Sequence, residues 1–470
     1  MAGMDELSRD DLLLVIAEQM KRIEYLEAEL ARVRGGGSSR PSPPSFVKAN
    51  RRARPPSSGP RKKRSDGSSR RRSAPTRVEE HYPAKCSCCG RKLSGGWVHT
   101  RREVIDIPLV PVEVVEHRIM ARHCGVCGRR EVARADLSGV VLGQSRIGIR
   151  LMSYISYLDT VCRLPIRGIQ RLLAGTHGLS LSQGEIVRVL HTVAATGRPA
   201  YDALLGQVRS SAVVHADETG SREDGINGYM WSLSTPEIRF YHRDASRGSK
   251  VIQQLLGYAP TGRSLKAAIA ARQADPTQGR HAFRGALVSD FYAAYDWYIR
   301  ARQCCLTHLD RDLDQLAEEH ADNPAVTTWV GAVLDLIGRA KTYAHEHALE
   351  DRRTRYRQEQ AFIREIAALA RPYLQTGLPQ QTLARRIHRY RGRLFVFVSE
   401  PAVPPDNNAA ERAIRPYVMI RKVSGGTRSA AGSLTQSVLL SLFGTWHLRG
   451  IDPLTACQQL LAAQPSPQPT

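Results

Sequence analysis

The sequence predicts an α/β protein, and three observations carry that expectation. The stretch Val213-Val214-His215-Ala216-Asp217-Glu218-Thr219-Gly220 runs apolar, β-branched residues straight into an acidic pair and a glycine. That is the pattern of a buried strand delivering a carboxylate to its open end. Ala286-Leu287-Val288-Ser289-Asp290 repeats the design, so two strands ending in Asp could present two carboxylates at one sheet edge, where hard divalent cations find oxygen ligands. From about 313 to 391 the pattern is instead helical and highly charged, as expected of helices added to such a sheet.

Composition narrows the class of partner. With 470 residues, 42% hydrophobic and 6% aromatic, the chain can bury a sizeable core and hold several domains, which excludes disorder throughout. Lys plus Arg number 68 against 45 Asp plus Glu, a formal charge of +23. An excess of that size points to a polyanion, nucleic acid ahead of an anionic membrane surface. No apolar run is long enough to span a bilayer, and the N-terminus carries Asp5, Glu6, Asp10 and Asp11 instead of a basic leader. The expected location is the cytosol, with no membrane partner. Five of the nine cysteines fall in two short clusters, which in a reducing compartment argues for metal before disulfides.

Residues 1–34 read as an N-terminal heptad helix. Leu12, Ile16, Ile23, Leu26, Leu30 and Val33 keep a/d spacing, with Gln19 the one polar d position. A helix of about three heptads either packs on its own protein or pairs with a second copy. Gly35-Gly36-Gly37 ends it, and residues 35–78 form a basic linker too poor in apolar groups to fold alone. Its clusters Arg61-Lys62-Lys63-Arg64 and Arg70-Arg71-Arg72 make it either a solvated tether or an arm that contacts phosphates without reading sequence.

Residues 79–135 read as a zinc module. Cys86 and Cys89, then Cys124 and Cys127, form two C-x-x-C pairs, each followed by glycine, and four such thiolates suit tetrahedral zinc. Cys88 is a spare thiol in the first pair, and the segment between the pairs alternates like a hairpin at Val110, Val112, Val114 and Ile119. Residues 136–205 read as helical: Leu164-Pro165-Ile166 opens one helix, Gly178 to Ser182 makes a turn, and Ser182 caps a second. The pair resembles a helix-turn-helix, although plain helical packing explains it equally well.

The catalytic core is expected over 206–450. Strands at Tyr229-Met230-Trp231-Ser232-Leu233 and Ile238-Arg239-Phe240-Tyr241 follow the first acidic strand, then a helix through Leu255-Leu256, then the strand before Asp290. Three antiparallel strands, a helix and another strand is the order of an RNase H-like fold, with the helical insertion at about 313–391. Leu394-Phe395-Val396-Phe397-Val398 either forms a strand or simply packs the insertion against the core. Pro404 to Pro416 carries an Asp/Asn cluster that should cap a helix with Glu411 in its early turns. Two strand aspartates and a helical glutamate is the arrangement of two-metal polynucleotidyl transferases. Residues 451–470 complete the chain as a helix and tail.

His215-Ala216-Asp217-Glu218-Thr219, Ser289-Asp290-Phe291-Tyr292 and Asn407-Asn408-Ala409-Ala410-Glu411-Arg412 with Arg415-Pro416 are the motifs by which the chain resembles the insertion-sequence-66 family of bacterial transposases. The resemblance runs over nearly its whole length. It implies a DDE-type enzyme with Asp217, Asp290 and Glu411 as catalytic triad, holding two magnesium ions, or manganese in their place, beside a structural Zn2+. It implies cleavage and joining of double-stranded DNA at transposon ends and target, a homo-oligomer, accessory proteins encoded by the same element, and a nucleoid-associated location. Arg412, Arg415, Arg421 and Lys422 follow the glutamate and either grip phosphate or form solvated surface. His308 in Cys304-Cys305-Leu306-Thr307-His308 falls where the family commonly carries a Cys and a His, as an accessory or core position, and the connection from Tyr258 to Arg284 is longer than the resemblance leads one to expect. The competing functions are a zinc-containing DNA-binding regulator without catalysis and a metal-dependent nuclease without joining activity.

Overall fold

A computed structural model describes residues 74–107, 112–260, 270 and 282–464. The heptad helix, the basic clusters at 61–64 and 70–72, Val110 and most of the long connection after Tyr258 lie outside the described residues. The chain divides into two units, Met1–Asp106 and Ile107–Thr470. In the first, the backbone turns at Cys86, whose N–H donates to the Arg91 carbonyl at 2.9 Å while Gly90 N–H donates to the Cys86 carbonyl at 2.9 Å. Gly90 has φ of 71°, a left-handed value that glycine adopts without strain.

The second unit opens with a small hairpin, β1 (Ala121–His123) against β2 (Arg130–Val132). The alternating residues of 112–119 do not form the expected strands: Val114 and Ile119 are exposed. The ladder instead brackets the turn from Cys124 to Arg129, a closure so short that little chain entropy opposes it. Three helices follow, α1 (Ile149–Thr160), α2 (Ile166–His177) and α3 (Gln183–Ser210). Gly178 ends α2 in the left-handed region, and a capping box starts α3: Ser182 Oγ accepts Glu185 N–H at 3.1 Å while Glu185 Oε2 accepts Ser182 N–H at 2.8 Å. Ile186, Val189, Leu190 and Val193 then bury one face of α3.

The central sheet has five strands. β3 (Val213–Glu223), β4 (Ile226–Ser234) and β5 (Arg239–Asp244) form an antiparallel meander. β6 (Ala286–Ser289) joins β3 in parallel and β7 (Arg302–Cys304) joins β6 in parallel, giving the order β5-β4-β3-β6-β7. Asp224 and Gly225 link β3 to β4 at φ of 50° and 79°, the two-residue turn whose twist matches a hairpin. The ladder therefore carries β3 past Asp217 to Glu223, and Asp217 sits mid-strand instead of at a strand end. Its neighbour β6 does stop at that level.

Both faces of the sheet are covered, and the two-residue period sorts the side chains. Val214, Ala216, Trp231, Leu233, Phe240 and Leu287 join a core with α1, α2 and α3. Ala286, Val288 and Cys304 face a second core. Each fully buried Leu or Val of this kind stabilises the fold by roughly 1.5–3 kcal/mol over leaving it in water. A Cβ at Gly285 would lie 2.2 Å from the Ala212 carbonyl, so any side chain there would push β6 off β3.

A short helix, α4 (Ser249–Leu255), precedes β6. The second core is built by α5 (Leu306–Glu319), α6 (Pro324–Glu346), α7 (Arg352–Ala370) and α8 (Gln381–Tyr390). Asn323 and Asp351 cap α6 and α7. The strand-like run from Leu394 is not a strand: it turns into the helical segment α9 (Val396–Ser399), with Leu394, Phe395, Phe397 and Val398 all buried. An unbroken apolar run has no alternation to distinguish strand from helix, and Gln303 satisfies this backbone by donating to the Leu394 carbonyl at 2.9 Å. Then α10 (Asn408–Ser424) lies on β3 and β4, α11 (Ala430–Leu448) on β5 and α3, and α12 (Pro453–Ala462) on α1. Among the described residues no helix is long and apolar enough to cross a membrane.

Candidate active site

The register of the parallel pair brings the two aspartates together. Val213 pairs with Ala286, Val214 with Leu287 and His215 with Val288, and two residues further along the same register Asp290 comes beside Asp217. Asp217 lies on the β3 face shared with His215 and Thr219, and one of its carboxylate oxygens accepts the Glu218 N–H at 2.9 Å. Asp290 begins the loop after β6 and accepts the Tyr292 N–H at 2.9 Å. Burial first, then the charges of Glu218 and Asp290 and finally Glu411, push the Asp217 carboxyl up to about 7. Among the described residues no Lys or Arg forms an ion pair with Asp217, Asp290 or Glu411.

Glu411 arrives on the first turn of α10, where the helix N-terminus favours a carboxylate. What fixes that turn is Asn407. Its side chain does not cap the helix, as an Asp/Asn cluster before a helix would suggest. It is 1% exposed, its Nδ2 donates to the Ala216 carbonyl at 2.9 Å, and its Oδ1 meets His215 Nδ1 at 3.0 Å. Its backbone N–H donates to Cys305 Sγ at 3.1 Å. One side chain thus ties the residue before Asp217 to the start of the Glu411 helix, and one backbone group ties both to the start of α5. Asp406 supplies the local cap by accepting Asn408 N–H at 3.0 Å. His308, in the first turn of α5, brings Nε2 to 3.9 Å from Glu411 Oε1.

Glu218 faces the other way, as alternation along a strand requires. Its side chain is 1% exposed, accepts Arg247 at 2.8 Å and accepts the Tyr295 hydroxyl at 2.6 Å. Arg247 stacks over the Tyr292 ring at 4.1 Å. Burial raises the Glu218 carboxyl, with Asp290 adding to it, against the pull of Tyr295 and Arg247.

The cations after Glu411 divide. Arg412 and Arg415 are exposed on α10, whereas Arg421 turns back to β3 and donates to Thr219 Oγ1 at 3.2 Å and to the Gly220 carbonyl; Lys422 is exposed. The loop from Gly425 also belongs to the sheet: Thr427 N–H donates to the Arg222 carbonyl at 3.0 Å, and a Cβ on Gly426 would meet that same carbonyl at 2.5 Å. The turn at Cys124 repeats the hydrogen bonding of the turn at Cys86, with Cys124 N–H to the Arg129 carbonyl at 2.8 Å and Gly128 N–H to the Cys124 carbonyl at 2.9 Å. Backbone N–H groups lower the thiol of Cys86, those of Cys89 and then Cys88, and likewise that of Cys124, those of Cys127 and then Val126. Aligned by these bonds, Cys89 matches Cys127, and Cys88 matches Val126.

The brace made by Asn407 was not anticipated from the sequence, and Cys305 stood there only as a neighbour of His308. Asn407 stood within a motif but read as a cap, and its partners lie 191 and 192 residues away.

Known proteins resemble the chain over this same region. The uncharacterised protein y4jD of Sinorhizobium fredii (strain NBRC 101917 / NGR234) is 24% identical over 78% of this chain and 72% of its own length. Its counterpart y4qI from the same strain is 23% identical over 82% of this chain and 71% of its own length, and y4jO is 33% identical over a shorter 16% of this chain and 27% of its own. The profile of the Transposase IS66 family matches residues 144–434, from just before α1 into α11 and across every residue of the acidic cluster. That match covers more than half of the sequence, and the chain belongs to the IS66 family of transposases.

Proposed function

We propose that the protein is a DDE-type insertion-sequence transposase that binds the ends of its element and cleaves and joins DNA at Asp217, Asp290 and Glu411. The observation that carries this reading is the strand register that brings Asp290 beside Asp217, together with the state of that carboxyl: burial first, then the charges of Glu218, Asp290 and finally Glu411, push Asp217 up to about 7. Oxygen donors that form no Lys or Arg ion pair among the described residues suit a divalent metal. Magnesium or manganese bound there would supply Lewis-acid activation of the attacking oxygen and stabilisation of the leaving one. The chain's own contribution is positional: the β3–β6 register sets Asp290 beside Asp217, and Asn407 ties the start of the Glu411 helix to the residue before Asp217. The strand order, three antiparallel and two parallel, supports an RNase H-like core over 206–450, with the helices from α5 to α9 as its insertion.

Zinc is proposed for Cys86, Cys89, Cys124 and Cys127, supported by the matching turns and by the backbone N–H groups that favour thiolate at Cys86 and Cys124. By the same alignment Cys88 is the spare thiol. Elemental analysis should find about one zinc per chain, and Cys124→Ser should lose it. Arg412, Arg415 and Lys422 on the exposed side of α10 are proposed to meet DNA phosphate, together with the basic clusters at 61–64 and 70–72. Arg421 holds β3 instead. Self-association through the heptad helix completes the reading, because two DNA ends call for two active sites.

The test is purified protein with Mg2+ and DNA carrying candidate element ends. Cleavage at the ends followed by joined product supports a transposase; cleavage without joined product supports a nuclease. Binding with no cleavage in Mg2+ or Mn2+ leaves a DNA-binding regulator.

A further inference from the structure

Cys305, His308 and Glu411 meet where α5 and α10 start. Cys305 is fully buried and immediately precedes α5; His308 lies three residues on, hence on the same side of the helix. One donor atom from each of the three lies within 4.8 Å of the others. Bonds of about 2.3 Å to sulfur and about 2.0 Å to nitrogen or oxygen hold tetrahedral ligands roughly 3.5 Å apart, so His308 and Glu411 must draw in toward the Cys305 sulfur, which the Asn407 N–H holds at 3.1 Å. His308 is uncommitted: Nδ1 is buried without a hydrogen-bond partner among the described residues, and Nε2 has only its 3.9 Å approach to Glu411.

The donors differ in kind from those of the neighbouring cluster. Asp217 and Asp290 offer oxygen alone, which suits magnesium, whereas thiolate and imidazole select borderline and soft cations and disfavour magnesium. Glu411 is common to both. We propose that Cys305, His308 and Glu411 form a separate site for a zinc-like transition cation, which on binding withdraws Glu411 from the oxygen site and stops DNA cleavage. Three protein donors leave a fourth position for water, and binding releases the Cys305 thiol proton to solvent. The inhibitory consequence rests on the catalytic reading of Glu411; the binding does not.

The experiment uses the full chain with its zinc complement in place, in excess Mg2+, titrated with Co2+. Cobalt binds nitrogen and sulfur ligands more weakly than zinc, so it leaves zinc-filled cysteine turns intact. About one further Co2+ per chain should bind with the visible absorption of a tetrahedral thiolate centre. Cys305→Ser should lose that absorption, and His308→Ala, at a half-exposed position where truncation spares the core, should weaken binding by at least about tenfold. Added Zn2+ should halt Mg2+-dependent cleavage, with the half-inhibiting concentration raised by a similar factor in His308→Ala relative to that variant's own uninhibited rate. No cobalt beyond the cysteine turns, or an absorption that survives both substitutions, overturns the proposal. A chain that binds cobalt as expected yet never cleaves DNA keeps this site and loses the catalytic reading instead.

Discussion

The two faces of β3 treat adjacent acids in opposite ways. Glu218 is enclosed, paired with Arg247 and hydrogen-bonded by Tyr295. Asp217, one residue earlier, receives a backbone N–H and otherwise faces carboxylates. The first arrangement neutralises a buried charge and fixes the loop after Asp290 to the strand. The second leaves charge uncompensated, which costs the folded chain stability unless a cation arrives from solvent. The difference separates an acid that holds structure from one available for chemistry, although the two are neighbours in sequence.

The largest effect should come from removing charge on the open face. Asp217→Asn, Asp290→Asn or Glu411→Gln should each lower Mg2+-dependent cleavage by on the order of 10³-fold or more, with gel-shift binding of DNA retained. Glu218→Gln should lose less than about tenfold. Equal losses at 217 and 218 would abolish the contrast between the faces.

Stability without metal should show the same contrast in reverse. In the unfolded chain Asp217 returns to its ordinary value of 3.8, while in the folded chain it holds its proton up to about 7. Between those values the folded state binds the extra proton, so stability falls as pH rises through the window and its full cost stands above it. At pH 8 Asp217→Asn should therefore be more stable than the parent by about 2–4 kcal/mol in urea melts, and Mg2+ should stabilise only the parent. A melt of the parent that is flat from pH 4 to 8 would remove the uncompensated charge from the account.

On the closed face the changes are smaller. Arg247→Ala leaves Glu218 buried with Tyr295 alone and should cost about 1–3 kcal/mol, most of it recovered when Glu218→Gln is added. Tyr295→Phe should cost about 1 kcal/mol. Additive losses for the first pair would mean that Arg247 stabilises through its stacking on Tyr292 instead.

The α/β class was legible because β-branched runs at Val213 and Ala286 admit few other conformations and the helices keep their period. The end of β3 was not read correctly, because the acidic pair and the glycine at 220 suggested a stop there; Arg421 and Tyr417 secure the extra length by bonding to Gly220 and Ser221. For Leu394 to Val398 the core packing was legible but the conformation was not, since only the second core decides between strand and helix. The acids themselves stood out by residue type and context. Their support did not: nothing local to Asn407 or Cys305 distinguishes a long-range brace from a helix cap or a core thiol.

The Asn407 brace also orders events during synthesis. Both strand aspartates leave the ribosome before the helices of α5 to α9, and Glu411 follows only after them. At about 5–20 residues per second that interval is on the order of ten seconds. A nascent or truncated chain that stops within those helices carries Asp217 and Asp290 but neither the third carboxylate nor the side chain that seats it. Synthesis of the last helical third therefore separates the folding of the sheet from the assembly of the site, and abortive fragments of the chain lack the complete acidic cluster.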